Sequence, residues 1–180
     1  LFQPKSFRDP AVHEQMAALK PDLGVMAFVT AFVPSTCLNI PTHGTIQYHP
    51  SLLPLHRGPS AINWAIIQGR TETGLSIFWP DDGLDTGPIL MQKSTPIGPD
   101  DTLGSVYFDR LFPMGVEAML ESVDLVRAGF RSPPREVTLA KTREVLHDAK
   151  GRVGHIFNLG HGLVPETPVD HVKAVIDLVH

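Results

Sequence analysis

The sequence predicts an α/β protein built on a layered sheet, and three observations carry that prediction. Segments of strand length occur at LGVMAFV (23–29), a nearly continuous apolar run, and at TIQYH (45–49), LSIFW (75–79) and PILMQKSTPI (88–97). Segments with apolar residues at helical spacing lie between them. Pro, Gly or a capping Ser, Thr or Asp marks the passage from one to the next, as expected of a sheet covered by helices.

The elements follow in order. Asp9 before Pro10 reads as a helix N-cap with proline at the first helical position, and Val12, Met16 and Leu19 continue the spacing up to Pro21. LGVMAFV is nearly all apolar, the pattern of a central strand covered on both faces. TIQYH is the second strand. Ser60 is placed to cap a helix over AINWAIIQ that Gly69 ends, and LSIFW is a third strand stopped by Pro80. PILMQKSTPI is the fourth. Asp101 and Thr102 open a helical region running to about Ala128, which Pro113 restarts or kinks. From Gly129 the texture changes. The Pro pair of FRSPPREV reads as a linker, and TPVDHVKAVIDLVH reads as a capped amphipathic helix with Val169, Val172, Val175, Ile176 and Val179 on one side.

Composition bounds the function. At 180 residues, with 42% hydrophobic and 19% charged residues, the chain fits one ordinary soluble domain. No apolar run approaches the roughly 18 residues a membrane span needs. A net charge of -4 argues against a large nucleic-acid surface, which needs clustered Lys and Arg. The single Cys37 offers neither a disulfide nor a cysteine metal cluster, which suits the cytoplasm. LFQPKSFRDP lacks both a starting Met and the layout of a signal peptide, so a chain truncated at its N-terminus is expected.

In an open α/β sheet, ligands gather beyond the C-terminal ends of the strands. Two polar clusters fall at such places. Gln47, Tyr48, His49 and Ser51 end the second strand, and Asp81, Asp82 and Asp85 lie in DDGLDTG after the third. A carboxylate beside an imidazole fixes its tautomer and stabilises its charged form. The Gln47 amide can donate to a developing oxyanion. These are parts for acyl-type chemistry. Spacing alone favours a plainer role, because Asp and Gly serve any turn and a strand-end His commonly satisfies only local hydrogen bonds. Metal is not indicated. A calcium loop starting at Asp81 would put Gly83 third and Gln92 twelfth, where a bidentate Glu is required. No His pair has the spacing of an H-E-x-x-H site. Cys37 precedes an apolar Leu38 and reads as a passive thiol.

HGTIQYHPSLLPLHRGPSAINWAIIQG followed by FWPDDGLDTGPIL resembles the folate-dependent formyltransferases, most closely the hydrolase domain of 10-formyltetrahydrofolate dehydrogenase. Methionyl-tRNA and glycinamide ribonucleotide formyltransferases belong to the same family. The resemblance covers about residues 1–135, with HPSLLP and GLDTG as its specific motifs. It implies a Rossmann-like fold and a site where an Asn, a His and an Asp act on the formyl group of 10-formyltetrahydrofolate. His49 and Asp85 match the His and Asp. Gln47 stands at the Asn position, keeping the amide but lengthening its reach. The implied chemistry has His49, held by Asp85, working on the formyl oxygen or passing a proton, with Gln47 on the oxyanion as an amine or water attacks. Substrate-binding residues would be Phe28, in the loop against which the family places the pterin, with Pro50, Ser51 and Asp82. A folate substrate and a small acceptor or water are implied, without a metal. A tRNA acceptor is disfavoured because the C-terminal tail is uncharged on balance. Family members also carry a strand, helix and strand ahead of the matching part.

GRVGHIFNLGHGLVPETPVDHVKAVIDLVH resembles the end of uroporphyrinogen decarboxylase, a TIM-barrel lyase of porphyrin biosynthesis. It would supply the last βα unit, with His161 of NLGHG at the position of an active-site His. The barrel's other strands do not fit in this chain, and one βα unit cannot hold a tetrapyrrole. The expected organisation is a partial formyltransferase-like catalytic domain over 1–130, a linker over 131–139 and a partial decarboxylase-like segment over 140–180. Besides a formyl-group enzyme, the alternatives are a uroporphyrinogen decarboxylase fragment and a non-catalytic fusion of the two parts.

Overall fold

The computed structural model describes residues 1–29 and 31–131. The expected linker after Arg131, the segment 140–180 and His161 lie outside the described residues. Helix α1 spans Pro10–Ala18, and the Asp9 carboxylate caps it by accepting from the Ala11 N–H at 3.0 Å. A short strand β1 (Gly24–Met26) is followed by a single turn α2 (Ser35–Leu38) and by β2 (Thr45–His49). Then come α3 (Ala61–Ile67), β3 (Glu72–Phe78), β4 (Ile89–Pro96), a turn α4 (Leu103–Val106) and, after a π-helical turn at Tyr107–Leu111, α5 (Phe112–Arg127).

The strands form one mixed sheet in the order β1-β2-β3-β4. β1 is parallel to β2, whereas β2, β3 and β4 run antiparallel in turn. The connection from β3 to β4 is therefore a hairpin, and DDGLDTG is its loop. Its two legs meet where the Trp79 N–H donates to the Pro88 carbonyl at 2.9 Å. Gly87 permits that approach, because a Cβ there would sit 1.6 Å from the Trp79 carbonyl oxygen.

Three expectations change. The run 23–29 yields a strand of three residues, since Phe28 takes a left-handed backbone (φ 56) that ends extended pairing. β1 stands at the edge of the described sheet instead of its centre, and Val25 is 47% exposed. Ser60 precedes α3 in a left-handed conformation (φ 62), and its side chain makes no capping bond. Elsewhere local chemistry acts as expected. Gly69 (φ 65) follows α3, Thr102 and Ser105 form a reciprocal capping box at α4, and Pro113 occupies the first turn of α5, where its missing N–H is harmless.

The sheet has two unlike faces. Ile46, Leu75, Ile77 and Trp79 project toward Ala118 and Val126 of α5 in one buried apolar layer. Tyr48 joins its margin and lies so close to the helix that a Cβ at Gly115 would come within 2.8 Å of its ring. Full burial of such Leu and Ile side chains contributes about 1.5–3 kcal/mol each. By strand alternation, Gln47, His49, Ser76 and Phe78 point to the other face. The loop after β2 bonds to His49 and Ser76 there, through its backbone at Ser51, Leu53 and His56. Among the described residues no helix is long and apolar enough to cross a membrane.

Candidate active site between the HPSLLP loop and the β3–β4 hairpin

His49 ends β2, and Pro50 turns the chain into a loop that folds back over the strand. The imidazole is nearly enclosed, with a side chain 7% exposed. Its Nε2 lies 2.9 Å from the His56 carbonyl oxygen, and its Nδ1 lies 3.4 Å from Asp85 Oδ2. Carbonyl and carboxylate oxygens both only accept, so whichever ring nitrogen carries a proton has an acceptor waiting for it. An imidazolium would present a donor to each neighbour.

Asp85 is itself held. Its Oδ2 accepts the Gly58 N–H at 2.8 Å, tying the hairpin loop to the end of the HPSLLP loop. Three residues around the pair, His56 (φ 51), Ser60 (φ 62) and Asp85 (φ 51), have left-handed backbones. Such conformations cost on the order of 1 kcal/mol or more for residues with a Cβ and persist where surrounding bonds dictate them. Arg57 completes the electrostatics. Partial burial draws its guanidinium below its ordinary pKa, while the charges of Asp81 and Asp85 pull it back up.

The structure brings His49 and Asp85 into contact and puts Gln47 on the same face, two residues earlier on β2 and opposite Phe78 of β3. Pro50 and Ser51 lie in the covering loop. The Ser51 hydroxyl is used internally, donating to the Leu55 carbonyl at 2.6 Å. Asp82 is exposed in the hairpin loop. Its neighbour Asp81 shapes that loop by accepting from the Gly83 N–H at 3.0 Å and the Thr86 hydroxyl at 2.5 Å. Phe28 stands apart from this group. It packs near Tyr107, with ring centroids 6.2 Å apart, and lines a cavity of about 240 Å³ with Tyr48, Phe112, Gly115 and Leu120 on the α5 side of the sheet. Burial, with Tyr107 adding to it, pushes the Tyr48 hydroxyl above its ordinary pKa. Cys37 is buried away from the pair, its thiol donating to the Phe7 carbonyl and its pKa raised by burial. Among the described residues no three His, Cys, Asp or Glu side chains gather as a metal would require.

Two supports of the pair are backbone groups, the His56 carbonyl and the Gly58 N–H, which no side-chain pattern announces. Two further polar residues, Ser76 and Gln92, lie on the face that carries His49. Ser76 had a faint signal in the sequence, as the one polar residue of LSIFW, whereas Gln92 sits among the polar residues of QKST and had none.

Comparison with known proteins identifies the family. The profile of the formyl transferase family matches residues 1–123, and that of uroporphyrinogen decarboxylase (URO-D) matches residues 130–180. The mitochondrial 10-formyltetrahydrofolate dehydrogenase of Mus musculus is 44% identical over 163 residues, which is 86% of this chain and 18% of that protein. The chain thus spans under a fifth of that relative's length. Glycinamide ribonucleotide transformylase 1 from Symbiobacterium toebii superposes with a TM-score of 0.62 at 27% identity, over 66% of this chain and 56% of that one. HypX from Aquifex aeolicus, solved in complex with tetrahydrofolic acid, gives 0.60 at 26% identity over 70% of this chain and 22% of its own. With its family profile matched across the whole α/β sheet and both loops of the site, the chain belongs to the formyl transferase family.

Proposed function

We propose that this chain carries the formyl-handling site of an enzyme acting on 10-formyltetrahydrofolate, as a hydrolase or as a transferase to a small acceptor, in the cytoplasm. The observation that carries the proposal is the enclosed His49–Asp85 pair, formed by residues 36 positions apart in the two motifs the family resemblance rests on. The relatives support the substrate class. One is named for 10-formyltetrahydrofolate and another was solved with tetrahydrofolic acid.

In the hydrolytic form of the reaction, water adds to the formyl carbon and its π electrons move onto the oxygen. The Nε2–H of His49 turns from the His56 carbonyl to that oxygen, and Asp85 stabilises the imidazolium throughout. The Gln47 amide, on the same face, donates a second hydrogen bond to the oxyanion. Collapse breaks the carbon–N10 bond as one proton of the added water moves to N10 and the other is released to solvent, and formate and tetrahydrofolate leave. Pro50 and Asp82 are assigned to the rim that meets the folate, with Ser51 behind them shaping the loop. Phe28 is assigned to the pterin through its apolar cavity, a contact that requires the ligand to reach the α5 side. The domain division proposed is 1–130 for this site, 131–139 as a linker and 140–180 as a decarboxylase-like segment.

The match of residues 130–180 to uroporphyrinogen decarboxylase favours a second reading, in which His161 belongs to a decarboxylase-derived segment and the chain joins two partial domains. Assaying the folded chain for formate release from 10-formyltetrahydrofolate and for uroporphyrinogen decarboxylation separates the two. Under the leading reading the first activity is present, and His49→Ala lowers it by about 10²- to 10⁴-fold while folate binding stays measurable. Unchanged deformylation in that variant would refute it.

A further inference from the structure

The face that carries His49 also holds a row of polar side chains running across three strands. His49 of β2 is the register partner of Ser76 of β3, and Ser76 is the partner of Gln92 of β4. Cross-strand partners share a face, so the three lie side by side. Ser76 is fully buried and its hydroxyl is saturated. It donates to the Ser51 carbonyl at 2.7 Å and accepts the Leu53 N–H at 3.0 Å and the Gln92 amide at 2.9 Å. The same Gln92 amide nitrogen donates to the Leu53 carbonyl at 2.9 Å. The backbone of residues 51–53 therefore hangs on two side chains of the neighbouring strands.

That backbone leads directly to the groups that hold the imidazole. Three residues beyond Leu53 is the His56 carbonyl that faces Nε2, and two further on is the Gly58 N–H that holds Asp85. We propose that Ser76 and Gln92 are positioning residues for the His49–Asp85 pair: by suspending residues 51–53 they fix the His56 carbonyl and Gly58 N–H, and through these the tautomer of His49 and the placement of its carboxylate. The inference rests on the assignment of His49 and Asp85 as the reacting pair. Neither Ser76 nor Gln92 touches the pair's polar atoms, so their effect travels through the loop.

Two variants of the full chain test it, Ser76→Ala and Gln92→Glu. The second keeps size and shape but replaces the donating amide by a carboxylate facing the Leu53 carbonyl. Because Gln92 is an exposed residue, that variant is expected to fold even where loss of the buried Ser76 hydroxyl prevents folding. The first measurement is the ¹⁵N shifts of the His49 ring. Wild type should show a single protonation pattern of the ring, held by the His56 carbonyl and Asp85, and either folded variant should show a shifted or mixed pattern. The second is formate release, where kcat should fall about 10-fold or more, with KM for 10-formyltetrahydrofolate within about 2-fold, because misplacing a catalytic group by even 1 Å is enough to slow chemistry. Unaltered His49 shifts in a folded Gln92→Glu chain would overturn the positioning role. If wild type releases no formate, the enzymatic assignment fails by itself, and the ring shifts still decide whether the row holds the histidine.

Discussion

The two faces of the sheet are made from the same strands and solve different problems. On the α5 side Ile46, Leu75, Ile77 and Trp79 meet Ala118 and Val126, and cohesion comes from apolar burial, which has no direction. On the opposite side Ser76, Gln92 and His49 meet a loop through hydrogen bonds, each of which demands a distance and an angle. A net hydrogen bond contributes only about 1 kcal/mol, so the polar face adds little more stability than an apolar one would. It adds orientation. The apolar face keeps the sheet folded, and the polar face sets where an imidazole and a carboxylate stand.

The largest effect should come from breaking the polar face at its charged member. Asp85→Asn keeps the size of the side chain and can still accept from the Gly58 N–H, but it removes the charge facing His49 Nδ1. Formate release from 10-formyltetrahydrofolate should drop about 10²-fold or more, in line with the loss of a partner that supports a general acid–base group. The urea midpoint should change little. A variant with wild-type turnover would show that the carboxylate only staples the two loops together.

The contrary break lies on the apolar face. Ile77 is fully buried in the α5 layer. Ile77→Ala should cost about 2–5 kcal/mol of stability through lost transfer free energy and the cavity left behind. Activity per folded molecule should stay within about 2-fold, since Ile77 points away from His49 and the site is held by bonds on the other face. Loss of activity in a chain still shown to be folded would mean that the faces are coupled more tightly than their chemistry suggests.

The same contrast explains what was legible in the sequence. Apolar faces leave periodic traces, so β2 could be bounded at Thr45 and His49, and the helical region from Thr102 to Ala128 could be seen whole. The pairing of His49 with Asp85 was legible because both belong to recognisable motifs. Much of what makes the pair work was not. The His56 carbonyl and the Gly58 N–H act through the main chain, which every residue possesses. The left-handed turns at Phe28, His56 and Ser60 occur at residues that do not advertise them, unlike the glycine after α3. A run such as LGVMAFV reports hydrophobicity and not where extension stops, so β1 was expected too long and too central. The π-helical turn at Tyr107–Leu111 likewise adds no residue type that a plain helix would lack.

A charge cluster belonging to neither face yields the smallest effect and a pH-dependent one. Asp101, just ahead of α4, pairs with Arg110, accepts from the Ser105 hydroxyl at 2.7 Å and accepts from the Gly98 N–H at 2.7 Å. These contacts, the Arg110 bond foremost, hold its carboxyl well below the usual carboxylate range, against a smaller desolvation effect. A group whose pKa is lower folded than unfolded binds more protons when unfolded. Its stabilisation is therefore complete above the unfolded value, about 4, and fades as pH falls through the folded one. Partial exposure and salt screening keep the contribution small. Asp101→Asn should lower the urea midpoint slightly at pH 7, and the gap from wild type should be constant down to about pH 5 and then narrow in more acidic buffer. A gap that widened below pH 4 would have the wrong sign for a depressed carboxylate and would assign the role of Asp101 to its neutral hydrogen bonds, which would leave the start of α4 held by the Thr102–Ser105 capping box without help from charge.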